Sequence, residues 1–347
     1  MKKFFALALT AALAISMVAC SSAPASSETE PEVTYKTGMG TVISVKPTNE
    51  DAAEETGASA QVNTSIVVAT FDSNDTIVSV TIDVAQQTAK FDLEGQPAGE
   101  VDLRTKIEKQ GDYGMLKASA IGKEYYEQIE ALEAWMTGKT LSEVMAMPTF
   151  ERDASHTNVP DVEDLKASVT ITVQDYLAAL QKAYDNAVEC AGVPAKTGLG
   201  TVISASVAGE DAEEETGASV QINTNMMAVA VDAEGKIVAA QLDVAQQKVA
   251  FDMDGVAGTT DLRTKVEKEG DYGMLKASAI GKEYFEQSKA FTEWMVGQTV
   301  AEVAGMPTFE RDASHTAVPD VEDLKASVTI TVGDYLEALK EAEANAK

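Results

Sequence analysis

The residues best placed to do chemistry are hydroxyls. In DVEDLKASVTITVQDYL, Ser168, Thr170 and Thr172 fall at alternate positions just ahead of an amphipathic segment that ends in QKAYDNA. Ser327, Thr329 and Thr331 repeat the arrangement. Free amides and the positive end of a helix dipole make such a place favourable for a phosphate. Capping and strand formation account for the same letters. Thr172 with Asp175, and Thr331 with Asp334, read as capping boxes that open the last helix of each half.

Other candidates carry less. His156 has Glu151, Asp153 and Asp161 near it, and His315 has Glu310, Asp312 and Asp320. Carboxylates around one imidazole can hold a divalent metal, but a solvated acidic loop explains the same residues, and no metal ligand set is assigned. Tyr113, Met115 and Lys117 lie among glycines and could floor a pocket, although packing between sheet and helix accounts for them better. Trp135 and Trp294 could stack on a flat ligand, yet their helical register points to the core. Gln86-Gln87 and Gln246-Gln247 could bond a ligand or cap a sheet edge. There is no nucleophile elbow, Walker loop or dinucleotide fingerprint, so the expectation is a carrier or binding protein rather than an enzyme.

Composition removes further classes. The 347 residues carry 27 Lys+Arg against 56 Asp+Glu, a formal charge of −29. A phosphate backbone would be repelled, which excludes non-specific nucleic-acid binding, and the same balance argues against a polybasic membrane patch. At 45% hydrophobic residues the chain can bury a core. Two cysteines cannot build a disulfide framework.

The elements that must position the hydroxyls are written twice. KTGMGTVIS at Lys36 recurs as KTGLGTVIS at Lys196, GDYGMLKASAIGKEY at Gly111 recurs at Gly270, and PTFERDASHT at Pro148 recurs at Pro307. The second copy is one residue shorter in the turn-rich stretch after Phe251. The period is far above that of a solenoid, so the expected organisation is two similar domains, 34–188 and 194–347, joined by a linker at 189–193 that holds Cys190. The small Cys190 is either inert there or a free thiol able to pair with another chain. Each copy opens with strands at Gly40–Lys46, Thr64–Asp72 and Ile77–Ala85, the last two forming a hairpin with alternating arms. TAKFDLEG suggests a further short strand. In the second copy Gly235 of AEGK suits the hairpin turn. Helical spacing follows, with Tyr126, Ile129, Leu132, Trp135 and Met136 on one face and Gly138 as a stop. A short helix capped by Thr140 and Glu143 comes next, then the C-terminal helix. Strands followed by helices give an α+β class, each copy a small antiparallel sheet with helices packed on it.

This order resembles the FMN-binding domain of secreted and membrane-linked bacterial flavoproteins. The similarity rests on the hairpins FDSNDTIVSVTIDV and VDAEGKIVAAQLDV, a helical middle, and an Asp-led Ser/Thr motif entering the last helix. The resemblance implies FMN as cofactor, attached through its phosphate by a flavin transferase, and electron exchange with a redox partner. On the family motif, Asp164 matches the leading Asp and Thr170 the acceptor, with Ser168 between them; in the second copy these are Asp323, Thr329 and Ser327. The motif's Ser-Gly-Ala reads Ala167-Ser168-Val169 here and Ala326-Ser327-Val328 in the second copy. That loses a flexible glycine and sets a β-branched residue beside the acceptor. Binding of FMN without a covalent link, or a surface ligand-binding or adhesion-type protein that kept the fold and lost the flavin, stand as the alternatives.

The first residues resemble a bacterial lipoprotein signal. Lys2 and Lys3 precede an apolar run from Phe4 to Ala19, too short to cross a bilayer as a helix. Cys20 follows where the cut belongs. The implied arrangement is a signal peptide at 1–19, acylation of Cys20, a Ser/Pro/Glu tether at 20–33, and a body on the outer side of the cell membrane. Loss of Lys2 and Lys3 with the signal would make the mature chain two charges more negative.

Overall fold

The computed structural model describes residues 33–51 and 53–347. Cys20, the signal and all but the last residue of the tether lie outside the described residues. The first copy opens with β1 (Tyr35–Thr48), β2 (Ser59–Asp72) and β3 (Ile77–Lys90). It continues with α1 (Lys106–Lys109), α2 (Tyr125–Met136), α3 (Leu141–Met145), β4 (Thr149–Phe150), β5 (Val159–Pro160), α4 (Gln174–Asp185) and β6 (Val188–Glu189). The second copy repeats this as β7 (Lys196–Ala208), β8 (Ser219–Val231), β9 (Ile237–Ala250), α5 (Lys265–Lys268), α6 (Tyr284–Met295), α7 (Val300–Ala304), β10 (Thr308–Phe309), β11 (Val318–Pro319) and α8 (Gly333–Ala344). The class is α+β, with antiparallel sheets ordered β3-β2-β1-β6 and β7-β8-β9.

Several strands run further than the letters suggested. The residues TAK of the expected fourth strand continue β3, which pairs with β2 through Ser59–Lys90. The hairpin turns form as expected, with Gly235 at φ 78 in the second copy and Asp75 at φ 59 in the first. Alternation fails in β2, where Ser65 to Phe71 are all buried. Helices cover one face of that central strand and the other copy's sheet covers the other.

The helix layer sits close because two positions on the first strand have no side chain. A Cβ on Gly38 would fall 1.8 Å from the Ala183 carbonyl oxygen, and one on Gly40 would fall 2.0 Å from that of Ala179. Ala179 and Ala183 are themselves fully buried, so α4 lies with its backbone against β1. Gly198 and Gly200 give α8 the same seat on Ala342 and Ala338. On α2 the core face carries Tyr125, Ile129, Leu132 and Met136. Tyr126 is displaced from it, and Trp135 is half-buried at its edge with Lys139 Nζ 4.6 Å from the ring.

Residues 33–347 form one compact unit. Two hydrophobic clusters belong each to one copy, between its sheet and its helices. Two more are shared: Val62, Ala85 and Phe91 pack with Val220, Ile222 and Phe251, and Met39, Ile66 and Val68 pack with Leu199, Met226 and Ala228. The sheets therefore stack face to face, with Phe91 and Phe251 edge-on at 5.6 Å. The contacts are reciprocal: Glu50 N donates to Gly255 O at 3.2 Å, and Glu210 N to Gly95 O at 3.0 Å. Such pairing is that of an isologous dimer built within one chain. The stretch read as a linker begins inside β6, which pairs with β1. Cys190 is half-buried there, with Sγ 3.3 Å from Thr37 Oγ1.

Candidate functional site

The hydroxyl segment is fixed by alternation. Val169, Ile171 and Val173 are buried in the first copy's core, which leaves Ser168, Thr170 and Thr172 between them. Ser168 Oγ donates back to the Leu165 carbonyl at 3.3 Å. Thr170 is held from three sides. Its N–H donates to Gln128 Oε1 at 2.8 Å, its hydroxyl reaches the same oxygen at 3.3 Å, and its carbonyl accepts from Arg152 Nη1 at 3.0 Å. Gln128 is fully buried, and its Nε2 donates to the Lys123 carbonyl at 3.2 Å. In the second copy Thr329 meets Gln287 at 2.8 and 3.3 Å and Arg311 at 3.1 Å, and Ser327 bonds Leu324.

The expected capping boxes at Thr172 and Thr331 are not formed. The helices begin later, at Gln174 and Gly333, with Val173 and Val332 as caps and no side-chain cap bond. The Thr172 and Thr331 hydroxyls are instead buried without a hydrogen-bond partner among the described residues. The box at Thr140 and Glu143 does form. Asp164 and Asp323 lie exposed on short 3-10 turns. The structure thus joins Thr170 to Gln128 and Arg152 rather than to Asp164.

These residues fit a phosphate-bearing group in their chemistry. Each copy offers a half-buried hydroxyl, a guanidinium fixed on the carbonyl of that same threonine, an unpartnered hydroxyl two residues on, and the start of a 12-residue helix without a side-chain cap. Asp175 and Asp334 stand in the first turns and oppose a second negative charge.

The other candidates are structural. His156 Nδ1 lies 2.7 Å from Asp153 Oδ1 in a tight turn. That contact and Arg152 hold the exposed Asp153 at a pKa of about 2. No group of three or more His, Cys, Asp or Glu among the described residues is placed to hold a metal ion. Tyr113 and Met115 pack on the core, while Lys117 is exposed. Gln87 is buried in mid-strand and donates to the Arg104 carbonyl, and Gln86 donates to Asn63. Trp294 stacks on Phe291.

Two clefts, unforeseen in the sequence reading, open where the edges of the stacked sheets meet. The first, 490 Å³, lies between Met39 and Asn186 of one copy and Gln241, Asp243 and α6 of the other. The second, 420 Å³, lies between Thr81, Asp83 and α2 of the first copy and Leu199, Thr201 and Glu341 of the second. They are equivalent under the repeat. Neither is lined by Asp164, Ser168, Thr170, Asp323, Ser327 or Thr329. Desolvation raises the carboxyl of Asp83 to about 6 and that of Asp243 to about 7, even though each accepts from backbone amides. The signal that could have located the clefts' chemistry is the set of aligned positions where the copies differ: Thr81 against Gln241, Glu133 against Thr292, Lys182 against Glu341.

No family model matches the chain, and no solved structure does. The chain is 32% identical over 96 residues to a Desulfitobacterium hafniense protein named chlorophenol reductase. That match covers 24% of this chain and 29% of the relative's length.

Proposed function

We propose that this chain is a flavin carrier anchored by lipid at Cys20 on the outer side of the cell membrane, holding FMN at Thr170 and Thr329 and passing electrons to a redox partner. The observation that carries the reading is the setting of Thr170. Its hydroxyl stands in a loop locked by Gln128 and Arg152, just before an orphaned hydroxyl and an uncapped helix start, and the whole set recurs at Thr329. The partial likeness to a protein named a reductase supports redox work. FMN would supply the electron chemistry through its isoalloxazine ring. The chain's own groups would hold the phosphate: Thr170 as acceptor or hydrogen-bond donor, Arg152 as the nearby positive charge.

The test is expression with a flavin transferase, followed by intact mass and visible absorbance. Thr170→Ala or Thr329→Ala should each halve the bound flavin, and the double variant should be colourless. Absence of an FMN-sized mass on either peptide removes the covalent form. If free FMN at tens of micromolar is then also not quenched, the flavin reading falls. A second reading, a surface ligand-binding protein without redox chemistry, draws its support from the two clefts, which stand apart from the hydroxyl segments.

A further inference from the structure

The two clefts occupy equivalent places, yet only the first has its polar groups satisfied by the chain. There, Gln241 Oε1 accepts from Met39 N at 2.5 Å and Nε2 donates to the Asn186 carbonyl at 2.6 Å. Thr41, across the same interface, donates to Met226 Sδ at 3.8 Å. In the second cleft the counterpart of Gln241 is Thr81, too short to reach across. The counterpart of Met226 is Ile66, which cannot accept. Both hydroxyls there, of Thr81 and of Thr201, are buried without a partner among the described residues, and Thr201 is only 7% exposed. Strand register turns both into the space between the sheets: Thr81 lies opposite Val68, and Thr201 opposite Met226. Both line the cleft.

Charge differs in the same sense. In the first copy Lys182 on α4 pairs with Glu267 at 2.5 Å. The counterparts are Glu341 on α8 and Glu108, so a carboxylate stands where an ammonium stood. Glu341 accepts from Thr201 N at 3.2 Å. Burial, then repulsion from Glu108 and Asp83, raises its carboxyl to about 7. Glu133 on α2 replaces Thr292 and takes the ammonium of Lys347, whose side chain reaches into the cleft. Glu130, also on α2, adds a further carboxylate to the lining.

We propose that this second cleft binds a small aliphatic amine, its ammonium group seated among Glu341, Glu108 and Asp83, at the place that the Lys182 ammonium takes beside Glu267 in the other half of the repeat, with the Thr81 and Thr201 hydroxyls accepting from it. The 420 Å³ space suits a compact ligand. An ammonium group, unlike a metal ion, does not require a ligand set of fixed geometry, and Lys347 shows that an alkyl ammonium enters. This site is independent of the flavin segments.

Calorimetric titration of the full chain with 1,4-diaminobutane at about pH 8 tests it, with butane-1,4-diol and calcium as controls. Expected is saturable one-site heat with the diamine and none with the diol or calcium. Glu341→Lys should weaken binding at least tenfold, about one decade in Kd, while still folding, because the same pair already exists at Lys182 and Glu267. Thr81→Gln should weaken it less, and binding should weaken towards about pH 6 as Glu341 and Asp83 take up protons. No saturable heat with the diamine, equal binding by Glu341→Lys, or diol binding as well as the diamine would each overturn the proposal.

Discussion

The two clefts have one backbone plan and opposite chemistry. In the first, Gln241 bridges the copies and satisfies the lining, and beside it Lys182 pairs with Glu267 of the other copy. In the second, Thr81 and Glu341 leave hydroxyls unpartnered and carboxylates facing one another. Packing does not explain the difference, since the shared clusters run continuously between the sheets. A duplicated scaffold can keep its apolar interface in both halves and let polar edge positions diverge, because apolar burial depends on shape and area while a polar position depends on its individual partner.

The sharpest check on the common plan is the glycine seat. Gly40→Ala would place a Cβ 2.0 Å from the Ala179 carbonyl oxygen, and Gly200→Ala one 1.9 Å from that of Ala338. Each should lose about 3 kcal/mol or more in denaturant titration, and by similar amounts. A loss confined to one copy would break the equivalence. Next in size is the glutamine that locks the hydroxyl segment. Gln128→Leu and Gln287→Leu should each cost about 2 kcal/mol, because the Thr170 or Thr329 amide then loses its acceptor. If Thr170 carries flavin, Gln128→Leu should also lower its occupancy, which a fold-wide loss of stability in the other copy would not do.

The pH dependence separates the clefts. Glu341, Asp83 and Asp243 each have a folded-state pKa above the unfolded value, at about 7, about 6 and about 7. The folded chain then holds more protons in that window, so the stability these three groups contribute is fully present below about pH 4 and falls as pH rises to about 7.5. Lys106, lowered to about 8 by burial, titrates above that window. Thermal melts across it should show the slope, and Glu341→Gln should flatten it. Lys182→Glu should steepen it by giving the first cleft the second one's repulsion; an unchanged slope would remove the electrostatic contrast.

The smallest difference lies at the hairpin turns. Gly235→Ala, at φ 78, should cost about 1 kcal/mol. Asp75→Gly relieves φ 59 but gives up side-chain bonds to Lys36 and Tyr184, so its effect should lie within about 0.5 kcal/mol of zero. Paired melts of the two variants make the comparison.

Much of the fold was legible because local rules govern it. The AEGK turn, the Thr140–Glu143 box and the strand-then-helix order each depend on neighbours within a few residues. The capping boxes at Thr172 and Thr331 misled for a tertiary reason: burial of Val173 and Val332 starts the last helices one residue later than the threonines would cap. Of the candidate site, the alternation that sets Thr170 between buried Val169 and Ile171 could be read from the letters. Its fixation by Gln128, forty-two residues earlier on another helix, could not.

By itself, then, the sequence determined the duplication, the α+β class and the positions of the hydroxyl segments, since these follow from period, pattern and identity along the chain. Only the tertiary structure decided that the two copies share a core and that their contact encloses two clefts of unlike charge. Stacking one sheet on another is a choice between apolar faces that periodicity leaves equally possible. A substitution such as Lys182 against Glu341 acquires meaning only when the opposing copy puts Glu267 or Glu108 across from it.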